Sequence, residues 1–396
     1  MGMKILVINA GSSSIKYQLL EMPSEILRCE GIVERIGGNN AILKYRKGEV
    51  VLEATEAILT HKSALEKITG YLRDKEFGVI SDTSEIDAVG HRVVHGGNRY
   101  SKTTLIDSEV KDQIREFSPL APLHNPHNLE GILMAEQVFP TAKQVAVFDT
   151  AFHQTMPVKA RKYAIPNDFY THHGIQAYGF HGTSHKYVSE RAIAHLKAPK
   201  AKMITVHLGN GCSITAVNKG KSVAHSLGFA PANGLIMGSR SGDIDHSIIF
   251  YLVEGLGYSL EEVNRILTKE SGMLGLTGHG DLRDIEARAE NGDADCILAL
   301  EMNAYRIKKY IGAYAAVMNG LDAIVFTAGI GENSSKMRKL VCSDLEVLGI
   351  ALNEVANNSP SKSIREIQTV DSKVKVLVIP TKEELEIAKQ AFQLLS

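Results

Sequence analysis

The chain has no tryptophan, and aromatic residues make up only 6% of it. Cysteine is also scarce. Cys29, Cys212, Cys296 and Cys342 are scattered, with no CxxC among them. That excludes a disulfide scaffold and a zinc ribbon and points to a reducing compartment. Neither sign of charge dominates: lysine and arginine number 44, aspartate and glutamate 45, for a net charge of −1. Such a balance calls for no nucleic acid and no anionic membrane as partner. An uninterrupted membrane-length apolar run is missing too. The longest apolar region, Tyr310 to Ile330, is broken by Asn319, Asp322 and several glycines, and reads as a helix followed by a strand. The residues ahead of Asn9 are too few for a signal peptide, and Leu6 breaks the myristoylation pattern. The expectation is a cytoplasmic protein. At 396 residues, 44% hydrophobic and 22% charged, the chain has a soluble globular composition and the length for two domains.

What the chain does hold is organised around one stretch, Met203 to Val217, MITVHLGNGCSITAV. It reads as strand, sharp turn, strand. Val206, Ile214 and Val217 give the strand character, and Gly209, Asn210 and Gly211 the turn. A turn with so little side chain lets backbone N–H groups converge on an anion, most often phosphate. Taken alone it is equally a tight hairpin with no ligand. A second copy stands at Ile5 to Tyr17, ILVINAGSSSIKY, with Ser14-Ile15 falling on Ser213-Ile214 and Val7 on Val206. The pair reads as an internal duplication, each half lending a phosphate-binding hairpin to a cleft between them. It is not a Walker loop, which needs GxxxxGK[ST] between strand and helix.

VINAGSSSIKY, HLGNGCS and AGIGEN (Ala328 to Asn333) occur in that order, and together they resemble the acetate kinase family. That family lies in the superfamily of acetate and sugar kinases, actin and the heat-shock-cognate chaperones. The resemblance runs from residue 5 to about residue 388. It implies an α/β fold: two duplicated actin-like (ribonuclease H-like) domains, each a mixed sheet flanked by helices, with the nucleotide in the cleft. No low-complexity linker marks a boundary, so the crossing is placed near residue 150. The resemblance returns the last helix to the first domain, giving 1–150 plus 382–396 and 151–381.

Along the chain, strands are expected at Cys29 to Val33 and Ala41 to Leu52, and a helix over Ala54 to Phe77. Ile86 to Val94 reads as a buried strand, Ser108 to Phe117 and Leu129 to Val138 as helices, and Gln144 to Phe148 as a strand ending at Asp149. Thr150 to Gly182 is mostly loop, rich in His, Asp, Tyr and Gly. Ser184 to Leu196 reads as a helix and Gly228 to Asp245 as loop. Helices follow at Ser247 to Val253, at Ser259 to Lys269 behind a Ser259/Glu262 capping box, and at Ala294 to Met318. Ala323 to Phe326 is a strand, AGIGEN a turn, and Ser334 to Leu340 a helix. Val374 to Ile379 and Glu383 to Leu394 supply the last strand and helix.

Phosphorylating a carboxylate from ATP sets a specific problem. The acid has a pKa of ~4 and is already ionised, so no base is needed. An anion must instead attack a polyanion, which calls for fixed cations, aimed donors and a metal on the phosphates. Arg92 in GHRVVHGG and Arg240 in MGSRSGD are suited to a bidentate grip on a carboxylate or phosphoryl oxygen. By the resemblance they serve substrate and transition state. His181 in YGFHGTSH matches the histidine that stabilises the transferring phosphoryl group, and His124 and His207 match histidines near the site. Asp149 in VFDTAFH matches an aspartate given an acid/base role. With the acid already ionised, orienting an arginine or the metal's water is the alternative.

Glu383 matches the magnesium ligand, with Glu384 one residue away, and Asn9 the other magnesium-side residue. Mg²⁺ is the implied cofactor, with Mn²⁺ able to substitute. Lys16, His207, Leu208, Gly209, Asn210 and Gly211 are assigned to the nucleotide by the same resemblance. So are Asp281, Leu282 and Arg283 in GHGDLRD, and Gly329, Ile330, Gly331, Glu332 and Asn333 in AGIGEN. The last group reads as strand, turn and helix, with the helix N-terminus favouring negative charge. Val94, Leu123, Phe180 and Pro231 match the acetate methyl pocket. They are apolar and bulky, so the pocket is expected to be small and propionate a poorer substrate rather than a rejected one.

The activity implied is ATP + acetate ⇌ acetyl phosphate + ADP by direct in-line transfer, in a homodimer. A propionate or short-chain acyl kinase is the near alternative. Zinc hydrolysis would need the His91/His95 or His181/His185 pairs on a helix with the Glu of HExxH, which is absent. A nucleotide switch shares the hairpins but has no use for a clustered Arg92, Asp149, His181 and Arg240.

Overall fold

The computed structural model describes residues 2–122 and 124–396. It resolves into two compact units, Met1–Phe152 with Lys382–Ser396, and His153–Thr381.

The first unit carries β1 (Met3–Ala10), β2 (Ser14–Met22), β3 (Ile26–Glu34), β4 (Gly38–Lys47), β5 (Val50–Ile58), β6 (Ala88–Val93), β7 (Thr104–Leu105) and β8 (Lys143–Phe148). They form one sheet ordered β5-β4-β3-β2-β1-β6-β8-β7. β1, β2 and β3 are antiparallel neighbours, while β1, β6 and β8 run parallel. Ile5, Leu6, Val7 and Ile8 are all buried, so β1 is covered on both faces. One cover is the helix Asn125–Val138, where a Cβ on Gly131 would lie 2.8 Å from Ala10 Cβ. The other is the helix Glu383–Leu395, where a Cβ on Gly90 of β6 would lie 2.8 Å from Ile387.

The second unit carries β9 (Lys202–Leu208), β10 (Cys212–Asn218), β11 (Lys221–His225), β12 (Ala323–Thr327), β13 (Arg365–Glu366) and β14 (Lys375–Val378), in the order β11-β10-β9-β12-β14-β13. Here β11, β10 and β9 are antiparallel neighbours, and β9, β12 and β14 run parallel. The five-strand pattern of the first unit is thus repeated strand for strand, as the duplicated glycine turns imply. The two hairpins are not in the same register, however. Ala10 faces Ile15 across the first turn, and Leu208 faces Cys212 across the second. The second turn is one residue tighter, so pairing Ser14 with Ser213 holds only as a motif.

Four expected elements change. Ala41 to Leu52 is not one strand: β4 ends at Lys47 and β5 starts at Val50, with a turn at Gly48 and Glu49 between them. Ala54 to Phe77 is not one helix: Val50–Ile58 is a strand, and the helix His61–Leu72 starts where Thr60 and Ser63 form a capping box. Ser247 to Val253 is a short α-turn, Ser247–Phe250, followed by a π-helical turn, Tyr251–Gly255. AGIGEN is not a turn. It is itself the helix Ala328–Asn333, entered directly from β12 through Ala328 at φ 64°.

Candidate active site

In the first unit the parallel register β6–β8 sets Arg92 beside Val147, one residue from the end of each strand. Asp149 follows β8 and donates its N–H to Val93 at 2.9 Å. Arg92 reaches back to one oxygen of Asp149, Nε at 2.9 Å and Nη2 at 2.6 Å. The Asp149 side chain is 1% exposed and that of Arg92 21%. Burial alone would lower the Arg92 pKa, but Asp149 and Glu383 outweigh it and hold the guanidinium above its ordinary value. The strand end is fixed by the helix Asn125–Val138. Asn128 accepts from Val94 N and donates to Ala10 O, and Asn125 accepts from His95 N and donates to His95 O. Val94 is buried, His124 immediately precedes this helix, and Leu123 lies outside the described residues.

Glu383 and Glu384 open the helix Glu383–Leu395. Glu384 pairs with Lys16 at 2.6 Å. Burial raises the Glu383 carboxyl to about 7; Arg92 opposes that shift, while Asp149 and Glu384 add to it. Three carboxylates thus face two cations, and no hydrogen-bond donor among the described residues satisfies Glu383. A divalent cation fits such a donor set. Oxygen ligands from Glu383 and the Asn9 amide, with water and phosphate oxygens, suit magnesium, and a cation would return Glu383 to its ionised form.

In the second unit, His181 stands at the start of the helix Gly182–Leu196 in a left-handed conformation, φ 55°. The preceding residue is held on both sides by imidazoles. Phe180 N–H donates to His225 Nε2 at 3.1 Å, and Phe180 C=O accepts from His153 Nε2 at 3.0 Å. His153 Nδ1 then accepts from Ser222 Oγ at 2.9 Å, and His225 Nδ1 donates to Thr215 Oγ1 at 2.7 Å. Ser213 Oγ sits between His181 Nδ1 (2.9 Å) and His185 Nε2 (2.7 Å). His207 stacks on His181, ring centroids 4.4 Å apart, and bonds Ser184 Oγ at 2.8 Å. Burial first, then neighbouring histidines, drive the His185 and His225 pKa values well down, so both rings are neutral supports.

Gly211 brings the central turn against this array. A Cβ there would lie 3.2 Å from His181 Cε1, 3.3 Å from Nε2 and 3.9 Å from Arg240 Nη1. Arg240 donates to Pro231 O at 2.6 Å and has no carboxylate within ion-pair distance among the described residues. Its pKa is lowered by burial. A half-buried guanidinium without a counter-ion is a ready seat for an anion.

Beside the turn is a cavity of about 780 Å³. Leu208, Gly209, Asn210, Asp281, Leu282, Arg283, Gly329, Ile330 and Asn333 line it, as do Met237, Gly238, Met273, Glu286, Asn303, Ser334 and Met337, which the sequence did not single out. Apolar walls with a few polar groups, in this size range, suit a nucleoside. Gly331 and Glu332 do not line it. Glu332 accepts from Thr381 N at 3.0 Å instead, and burial raises its carboxyl. Lys16 belongs to the first unit. Arg338, fully buried, donates to Gly331 O, Glu332 O, Asn357 Oδ1 and Asn357 O at 2.7–3.0 Å and so fixes the C-terminal end of the helix Ala328–Asn333.

A sequence model described as the Acetokinase family matches residues 4–389. The chain belongs to the acetokinase family. Across this family it is 60% identical over 393 residues to an acetate kinase of Flavobacterium johnsoniae, covering 99% of this chain and 100% of that one. Among solved acetokinases, it matches the acetate kinase of Porphyromonas gingivalis with TM-score 0.94 and 44% identity over 100% of both chains. It matches a propionate kinase from Francisella tularensis with TM-score 0.92 and 42% identity over 98% of both. What the motifs alone did not reveal in this acetokinase is the support: Asn125 and Asn128 behind Arg92, His153, His185 and His225 around His181, and Arg338 behind AGIGEN. Single histidines and asparagines far apart in sequence leave no spacing to read. Only the Asn-Pro-His-Asn run after His124 carries a local signal, as a helix start.

Proposed function

We propose that this chain is an acetate kinase, transferring the γ-phosphoryl group of ATP to acetate and releasing ADP. The full-length 60% likeness to the Flavobacterium johnsoniae enzyme carries the reading. A first domain of residues 1–150 and 382–396 handles the acid and the metal, and a second of residues 151–381 handles the nucleotide. Arg92, locked by Asp149, grips the acetate carboxylate in one orientation. A carboxylate oxygen attacks the γ-phosphorus while the bond to the β-phosphate oxygen breaks, so no proton moves and Asp149 acts as a positioning group. His181 and Arg240, the latter with no counter-ion among the described residues, stabilise the charge on the transferring phosphoryl oxygens. Adenosine occupies the cavity formed by Leu208, Asp281–Arg283, Gly329 and Ile330, with His207 and the Gly209–Gly211 turn at its phosphate side. Glu383 and Asn9 would hold Mg²⁺, which supplies charge neutralisation on the nucleotide phosphates.

Val94, Leu123, Phe180 and Pro231 are assigned to the methyl group. The propionate kinase likeness supports a second reading, in which propionate is preferred. A methylene is worth ~1–3 kcal/mol in such a pocket. We further assign the chain to the cytoplasm, supported by four free, buried cysteines. A homodimer is supported by the exposed Ile248, Phe250, Tyr251, Leu256 and Leu260, and light scattering tests it. For the activity, acetate, propionate and butyrate are incubated in parallel with Mg²⁺ and ATP, and acyl phosphate is trapped with hydroxylamine. Acetate is expected to give the highest kcat/KM, and Arg240→Ala to lose most of it. Propionate ahead of acetate would select the second reading, and no acyl phosphate from any acid would overturn both.

A further inference from the structure

Three residues of the first unit that none of the chemistry above uses come together on two helices. His61 is the first residue of the helix His61–Leu72, and His127 and Glu130 lie three apart on the helix Asn125–Val138, on one face. One ligand atom from each lies within 4.8 Å of the other two. His61 Nδ1 is 3.7 Å from Glu130 Oε2, and His127 Nδ1 is 3.8 Å from the same oxygen. Those separations are too long for hydrogen bonds. They are near the spacing of two ligands on one tetrahedral ion: with Zn–N and Zn–O distances of ~2.1 Å, neighbouring ligand atoms stand ~3.4 Å apart.

The tautomer is also set. His61 Nε2 lies 2.7 Å from Gly11 O, a carbonyl that can only accept, so Nε2 carries the hydrogen and the Nδ1 lone pair faces Glu130. Donating the far ring nitrogen to a backbone carbonyl is how ligating histidines are oriented. The His61 side chain is 8% exposed, while those of His127 and Glu130 are 32% and 39%. The buried ligand is thus pre-positioned, and the two accessible ones admit an ion and can turn to close on it, by up to about 1.4 Å from the 4.8 Å bound to the ~3.4 Å spacing.

We propose that His61, His127 and Glu130 bind a borderline divalent cation of the zinc class, with water completing the tetrahedron. Two imidazoles in the set select against magnesium and calcium, which take oxygen ligands. Occupancy ties the helix His61–Leu72 to the helix Asn125–Val138 and, through Gly11, to the turn between β1 and β2. Effects of such cations on this chain then have a source separate from the magnesium ligands.

The test uses the full-length protein stripped by chelator and held in excess Mg²⁺. Co²⁺ is titrated in as a spectroscopic stand-in, followed by Zn²⁺ displacement. The parent is expected to develop the intense visible band of tetrahedral Co²⁺, saturating at one ion per chain and abolished by Zn²⁺. His127→Ala and Glu130→Gln, both at accessible positions, each weaken the binding at least about tenfold. Zn²⁺ raises the Tm of the parent and not of the variants. No tetrahedral band in the parent, or parent-like affinity in either variant, overturns the proposal.

Discussion

Asp149→Asn separates an orienting aspartate from an acid/base one. Asp149 takes two N–H groups of Arg92 on one oxygen, at 2.9 and 2.6 Å. Asparagine keeps an acceptor there and removes the charge. The donor stays charged and only the acceptor becomes neutral, so each bond falls from the upper toward the lower end of the ~1.5–3 kcal/mol charge-assisted range, and the two together lose about 2 kcal/mol. That is roughly a 30-fold loss in kcat/KM for acetate. The loss should leave both limbs of the pH profile in place, because arginine does not titrate there. It should also shrink in an Arg92→Ala background, since the guanidinium that Asp149 orients is then gone. The assay is acetyl phosphate formation over a pH series for the parent, both single variants and the double variant. A loss of ~10²–10⁴ that removes one limb of the pH profile would mean proton transfer by Asp149 and would refute the positioning role. So would additive effects of the two substitutions.

Other predictions follow from the same geometry. Glu383 has its carboxyl raised from 4.5 to about 7, so its contribution to stability is present below the ordinary value and lost as pH rises through neutrality. After allowing for partial exposure this is about 2 kcal/mol. In chelator, Glu383→Gln should therefore match the parent near pH ~4 and exceed it above neutrality by denaturant unfolding; equal stability at both would contradict the burial argument. Gly211→Ala should fold normally but lose roughly tenfold in kcat, since its Cβ would crowd His181 at 3.2–3.3 Å; unchanged turnover would mean the ring has room to move. Arg338→Met strands the carbonyls of Gly331 and Asn357, while Glu332 O keeps Arg365, and should cost about 2 kcal/mol or more in thermal unfolding.

What the sequence disclosed depended on how local the signal was. The helix Ala294–Met318 was legible at both ends, because Asp293 caps one and Asn319 adopts the left-handed conformation at the other. The Ser259/Glu262 box likewise forms as read. The helix expected over Ala54 to Phe77 ran too far back because Ala54, Ile58 and Leu65 share helical spacing by chance with a real strand. Only Thr60 marked the true start. AGIGEN looked like a turn because of its glycines. Its C-terminal end is held by Arg338 from the next helix, where no local pattern shows it. The duplication was visible because two motifs repeat, but the one-residue difference between the turns was hidden inside them. At the site, Arg92 and Asp149 are 57 residues apart, and their pairing is a product of β6–β8 register. The resemblance brought both to notice; it could not say that one holds the other.

The most direct test of the central claim is the stoichiometry of acetyl phosphate formed to ATP consumed, with acetate present and absent. Direct transfer to acetate predicts one acetyl phosphate per ADP released, with negligible ADP when acetate is left out. ADP release independent of acetate, or tight ATP binding without acetyl phosphate, would contradict it.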